Sequence, residues 1–133
     1  GCLFYAKSTK RFLFLNRQQK QKGTWGMVGG STHDTETPWQ GLQREITEEI
    51  GFQPTITKTI PLELFVSKDT RFKFHTFVCV VDQEFVPKLN VEHSGYAWVS
   101  VNAWPLPLHE GVKKTLQNKQ IETKLQTILD LIV

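Results

Sequence analysis

The chain has 133 residues, enough for one domain with a sizeable core that needs no disulfide or metal simply to fold. With 39% hydrophobic and 22% charged residues it is no coiled coil, collagenous chain or disordered tail. A net charge of +3 is too small to announce a nucleic-acid binder, and no apolar run approaches the ~18 residues of a membrane span. The start carries no charged-then-apolar signal peptide. Cys2 and Cys79 lack ligand spacing and lie among apolar residues, which predicts reduced thiols and a cytoplasmic location.

In chain order, Gly1 to Lys7 and Arg11 to Arg17 predict a hairpin turning at Lys7-Ser8-Thr9-Lys10. Gln18 to Gly23 is loop-like, and Trp25 to Gly30 is a short extended piece ending in a glycine pair. A helix follows: Thr37 can cap it, Pro38 suits its first turn and Gly51 ends it. Leu42, Ile46 and Ile50 give it one apolar stripe. Thr55 to Val66 and Arg71 to Val81 predict two strands joined by a turn at Ser67 to Thr70. Tyr96 to Val101 predicts the last strand. Two helical pieces close the chain, one from about His109 to Leu116 and one carrying Ile121, Leu125, Ile128, Leu129 and Ile132. Strands mixed with helices in so short a chain predict helices packed on a mixed sheet.

Charge is distributed unevenly. The first 33 residues hold six basic side chains and no acid, whereas Asp34 to Glu49 hold five acids and one Arg. A divalent cation bound to a phosphate would bridge two such regions. Within the acidic segment Glu45, Glu48 and Glu49 stand at i, i+3 and i+4, so their carboxylates share a narrow arc of one helix face. Crowded carboxylates raise one another's pKa and destabilise a bare helix by about a few tenths of a kcal/mol. A hard cation such as Mg²⁺ or Mn²⁺ reverses that sign. Arg44, four residues before Glu48, can hold one of the carboxylates, and Glu36 can support Arg44 or reach the ion through water. Gly29 and Gly30 offer a tight backbone path with bare carbonyls.

A run of glutamates alone is most simply a solvated face. The spacing around it is what distinguishes this one. Gly30, Glu36, Arg44-Glu45-Ile46, Glu48-Glu49 and Gly51-Phe52 fit G-x5-E-x7-R-E-U-x-E-E-x-G-U, with U a bulky aliphatic or aromatic residue, at all nine defined positions. The chain therefore resembles the Nudix hydrolases, in particular the small MutT-like members, over most of its length. The box spans residues 30–52, and only the helix from about 119 to 132 looks like an addition to one domain covering 1–133.

That resemblance implies an α/β/α sandwich with a mixed sheet between helices. It implies Mg²⁺-dependent hydrolysis (Mn²⁺ as an alternative) of a nucleoside diphosphate linked to another group. Carried over by motif position, Glu48 and Glu49 are the main metal ligands, with the Gly30 or Gly29 carbonyl beside them. Glu45 is a ligand or the group that orients or deprotonates water, Arg44 its orienting partner, and Glu36 a support. A further carboxylate on a loop before the last strand is common in the family, and Glu92 fills that place as ligand or general base, ahead of its neighbour His93. Arg17 is placed as in many relatives to meet a phosphate, and His109 lies where MutT-like relatives contact the base.

The group attached to the diphosphate is less legible. Some relatives acting on ADP-ribose carry a Pro shortly after the box and some acting on dinucleoside polyphosphates a Tyr; Leu64-Phe65-Val66-Ser67-Lys68 has neither. The expected substrates are thus an ordinary or oxidised nucleoside triphosphate first, then a nucleotide sugar such as ADP-ribose or a dinucleoside polyphosphate. Trp39, Phe65, Phe72, Phe74, Tyr96 and Trp104 are the aromatic residues available to stack on a base. No nucleic-acid or membrane partner is expected, and the protein is a monomer or homodimer. The rival reading is a non-catalytic domain that senses a nucleotide or a protein, for which loss of a box residue would be expected.

Overall fold

The computed structural model describes residues 1–132. Its elements are β1 (Cys2–Ala6), β2 (Arg11–Arg17), β3 (Trp25–Gly26), α1 (Pro38–Ile50), β4 (Lys58–Val66), β5 (Lys73–Val81), β6 (His93–Ser100), α2 (Glu110–Gln117) and α3 (Lys119–Leu131). Every predicted element is present. Strand ends moved by a few residues, and the piece after Trp25 keeps only two ladder residues plus a bridge from Val28 to Cys2.

The sheet is mixed. β1 runs antiparallel to β2 and parallel to β5, and β5 pairs antiparallel with β4 at the edge. β6 follows one side of β2 from Arg11 to Arg17. The other side of β2 is shared, first by β1 opposite Arg11 and Phe12, then by β3 opposite Leu15 and Asn16. At that fork β3 leads directly into the Gly29-Gly30 pair.

Alternation along β1 explains the layers. Cys2, Phe4 and Ala6 face α1, where they meet Leu42, Ile46 and Ile50. Leu3 and Tyr5 face α2 and α3, against Val112, Leu116, Leu125 and Ile128. Ile46 and Ile50 are fully buried, each contributing about 2 kcal/mol of apolar burial. The result is an α/β/α sandwich, as the sequence predicts. Cys2 and Cys79 are free, buried thiols.

Start and end of α1 follow from its caps. Thr37 Oγ1 accepts from the Gln40 N–H and the Gln40 side chain accepts from the Thr37 N–H, a reciprocal box worth about 1 kcal/mol. Gly51 closes the helix at φ 85°, a conformation that a Cβ makes costly. The apolar stripe then fixes the rotation of α1 on the sheet, and with it the direction of every glutamate.

Candidate active site

The three helix glutamates occupy very different surroundings. Glu49 is turned inward beside Ile46 and Ile50 and is 3% exposed, whereas the Glu48 side chain is half exposed. Glu45 lies between them, partly covered.

Arg44 ties the outer acids together. Its Nε donates to Glu36 Oε2 at 2.9 Å, and one terminal nitrogen donates to Glu45 at 3.0 Å and to Glu48 at 3.3 Å. The other terminal nitrogen reaches the Ser31 carbonyl at 2.9 Å and Glu36 Oε1 at 3.2 Å. Glu36 also accepts from the His33 N–H, and these donors hold its carboxyl below the usual range. Arg44 in turn is held more firmly protonated than an ordinary Arg, first by Glu36. Only a planar fork with several N–H donors serves this many acceptors at once.

Glu49 is held from the other side. Its Oε2 accepts the Gly29 N–H at 2.7 Å, and His93 Nε2 stands 3.6 Å from Oε1. Burial pushes the Glu49 carboxyl up to about 8, against the Gly29 hydrogen bond, with Glu45 and Glu92 adding repulsion. Burial also pushes His93 down to about 4, helped by Arg17. Both shifts favour the uncharged forms of Glu49 and His93, so burial works against an ion pair between them. Mutual repulsion, which the sequence offers as the reason for a raised pKa, is secondary to desolvation at Glu49. The Glu45 carboxyl is raised as well, again first by burial.

Glu49, Glu92 and His93 bring one potential ligand atom each to within 4.8 Å of one another. His93 Nδ1 is buried without a hydrogen-bond partner. Two carboxylates and an imidazole this close together can coordinate a divalent cation, and a cation there would restore the charge that burial suppresses. The residues present therefore fit a metal ion. His93 was legible only as the neighbour of Glu92; its burial comes from the start of β6, opposite Arg17.

Gly30 packs directly on Glu45. A Cβ at that position would stand 2.5 Å from Glu45 Oε1, so no other residue fits without moving the carboxylate. Beyond the glycine pair opens a cavity of about 530 Å³ that includes Gly29, Gly30, Arg17 and His109 in its wall. Nucleotide-sized ligands occupy pockets of this order. Arg17 is anchored by its Nε to the Lys20 carbonyl, and His109 caps α2 and meets the Gln21 amide at 3.0 Å.

Of the aromatic candidates, Phe65, Phe72 and Phe74 line this cavity. Trp104 instead packs on Phe12 and Phe14, and Trp39 on Phe77.

A NUDIX domain model matches residues 1–119, so the chain belongs to the Nudix family and is a Nudix-family hydrolase. Dihydroneopterin triphosphate diphosphatase of Haemophilus influenzae is 33% identical over 113 residues, covering 74% of this chain and 70% of that protein. Putative 8-oxo-dGTP diphosphatase 3 of Mycobacterium tuberculosis is 31% identical over 102 residues, 73% of this chain but 47% of that protein. In fold, a Nudix hydrolase of M. smegmatis, RenU, matches with a TM-score of 0.78 at 24% identity, covering 96% of this chain and 84% of that one. Nudix-type pyrophosphohydrolase action on nucleotide-derived compounds is the activity these likenesses support. Among the described residues no helix is long and apolar enough to cross a membrane.

Proposed function

We propose that the chain hydrolyses a phosphoanhydride bond of a nucleoside-triphosphate-like compound with the help of Mg²⁺ or Mn²⁺. The observation that carries this reading is the adjacency of two features across Gly29-Gly30: a cluster of acids around Arg44, and a nucleotide-sized cavity with aromatic walls. The names of the Haemophilus and mycobacterial relatives, both triphosphate diphosphatases, point the same way.

In this reading Glu49 and Glu92, with His93 beside them, hold the cation, joined by Glu48 and the Gly30 or Gly29 carbonyl. When bound, the ion would neutralise phosphate oxygens and acidify a water. Arg44 keeps Glu45 and Glu48 aimed, with Glu36 bracing it. Glu45 takes the proton of the attacking water, its raised pKa bringing it nearer to the working pH. Arg17 meets a phosphate oxygen on the cavity side, and His109 borders the rest of the substrate.

The test is phosphate or pyrophosphate release from a panel of nucleoside triphosphates, dihydroneopterin triphosphate, ADP-ribose and dinucleoside polyphosphates, with Mg²⁺, Mn²⁺ or chelator. Turnover should require the cation and fall by orders of magnitude in a Glu48→Gln, Glu49→Gln double variant that still folds. Nucleotide binding without cation-dependent turnover would overturn the proposal in favour of a sensor domain.

A further inference from the structure

The cavity wall contains a carboxylate that the hydrolytic site does not use. Glu63 belongs to β4, where a bulge interrupts the ladder: Pro61 opposes Phe77 but Glu63 opposes Thr76, leaving Leu62 unpaired between them. A regular strand would turn Glu63 to the side opposite from Leu62. The extra residue instead lets Leu62 bury at 1% exposure while Glu63 faces the same cavity as Thr76. Bulges re-aim side chains in this way beside functional sites.

The cavity wall that includes Glu63 holds apolar side chains, hydroxyl and amide donors and the Lys114 ammonium. Thr115 Oγ1 donates to its Oε1 at 2.7 Å, fixing the carboxylate in place. Its Oε2 has no donor among the described residues. Phe72 and Phe74 lie nearly parallel, 14° apart, and with Phe65 give the cavity flat apolar walls. Asn118 lines the same cavity: its Oδ1 is committed to the Gln120 and Ile121 N–H groups, which leaves its amide N–H donors available.

Together these groups place an acceptor pair, an amide donor and aromatic faces in the wall of one cavity. We propose that Glu63 selects substrates whose ring carries a 2-amino-4-oxo edge, the edge shared by guanine and pterins, with Asn118 donating to the ring's oxygen or nitrogen acceptors. This deepens the reading above and rests on it for the position of the phosphates. The chemistry is discriminating. A carboxylate needs two adjacent N–H donors to be satisfied at both oxygens, and the guanine N1–H and 2-amino group supply them. Adenine and cytosine present one donor beside a bare ring nitrogen that repels the second oxygen. Uracil flanks its single N–H with carbonyls, which repel on both sides. Phenylalanine faces accept any flat ring and so set no preference among these.

The test measures binding in chelator, where hydrolysis plays no part, by displacement of a fluorescent nucleotide. GMP, IMP, AMP and neopterin are compared on the wild type and on Glu63→Gln, with urea unfolding as a control for folding. IMP differs from GMP only by the 2-amino group, so the wild type is expected to prefer GMP to IMP and AMP by about tenfold or more. Glu63→Gln should bring the GMP-to-IMP ratio close to one. Tight neopterin binding would assign the edge alone as sufficient; GMP binding without neopterin binding would assign a guanine nucleotide. Equal affinity of the wild type for GMP and IMP overturns the proposal even if the variant does not fold, as does an unchanged ratio in a folded variant. A guanine preference without any cation-dependent hydrolysis would overturn the hydrolytic reading and leave the selectivity standing.

Discussion

Replacing Glu49 by Gln should abolish turnover yet make the metal-free protein more stable at neutral pH. Burial raises this carboxyl from 4.5 to about 8 in the fold. In the unfolded chain the group returns to its ordinary value, so ionisation favours unfolding. The stabilisation is complete below about pH 4.5 and is lost progressively as the pH rises through about 8. At pH 7, about 2.5 pH units above the ordinary value, about 1.4 kcal/mol per unit gives about 3 kcal/mol. Gln is as neutral as the protonated acid and keeps an oxygen for the Gly29 N–H. Its amide can donate to His93, whose imidazole is neutral because burial pushes it down to about 4. Urea unfolding of both proteins in chelator, from about pH 4 to pH 9, reads the difference. With a slope of about 2 kcal/mol per molar urea, the variant's midpoint should exceed the wild type's by about 1.5 M at pH 7 and match it at the acid end. Saturating Mg²⁺ should narrow or reverse the order, because ligand binding stabilises the wild type more. Parallel profiles in chelator, or a variant less stable than the wild type at pH 7, would refute the reasoning.

Gly30→Ala tests the close approach to Glu45. The new methyl would stand 2.5 Å from a carboxylate oxygen, on an exposed stretch of backbone. Unfolding should change by no more than about 0.5 kcal/mol while kcat drops by about 100-fold, and wild-type turnover would exclude the assigned role of Glu45. Arg44→Lys tests the fork. A single ammonium cannot serve Glu36, Glu45, Glu48 and the Ser31 carbonyl together, so kcat or metal affinity should fall by about 10-fold to 100-fold. Full activity with Lys would show that net charge alone suffices.

The acidic side of the site was legible because it is local. Glu36, Arg44, Glu45, Glu48 and Glu49 lie within one turn-and-helix segment, where spacing along the chain fixes spacing in space. The helix itself could be read from Thr37, Pro38 and Gly51, and its orientation from Leu42, Ile46 and Ile50. What spacing could not supply was the contrast between adjacent glutamates. Glu48 and Glu49 are interchangeable as letters, but the packing of Ile46 and Ile50 puts one in solvent and the other against His93. The role of Trp104 was equally hidden, since an aromatic residue reads the same whether it stacks on a ligand or on Phe12.

The substrate side was hidden for a more general reason. Its wall is assembled from β2, the β3 segment, the β4–β5 hairpin and α2, segments separated by tens of residues. Within β4 the alternation Ile60, Leu62, Leu64 reads as one continuous inward face. The bulge breaks that period, so that Phe65, itself 48% exposed, and not Leu64 joins the cavity wall. A one-residue slip reverses the face of every later side chain, and nothing in local composition marks where it occurs beyond Pro61, which cannot donate to a ladder. The division has a chemical logic. On the proposed reading, hydrolysis of a phosphoanhydride needs the same acids whatever is attached to it, so most of that machinery fits in one short segment, with Glu92 added from the loop before β6. Recognition of an attached ring would need groups converging from several directions, and Glu63 on β4, Phe74 on β5 and Asn118 between α2 and α3 share one cavity wall only in the folded chain.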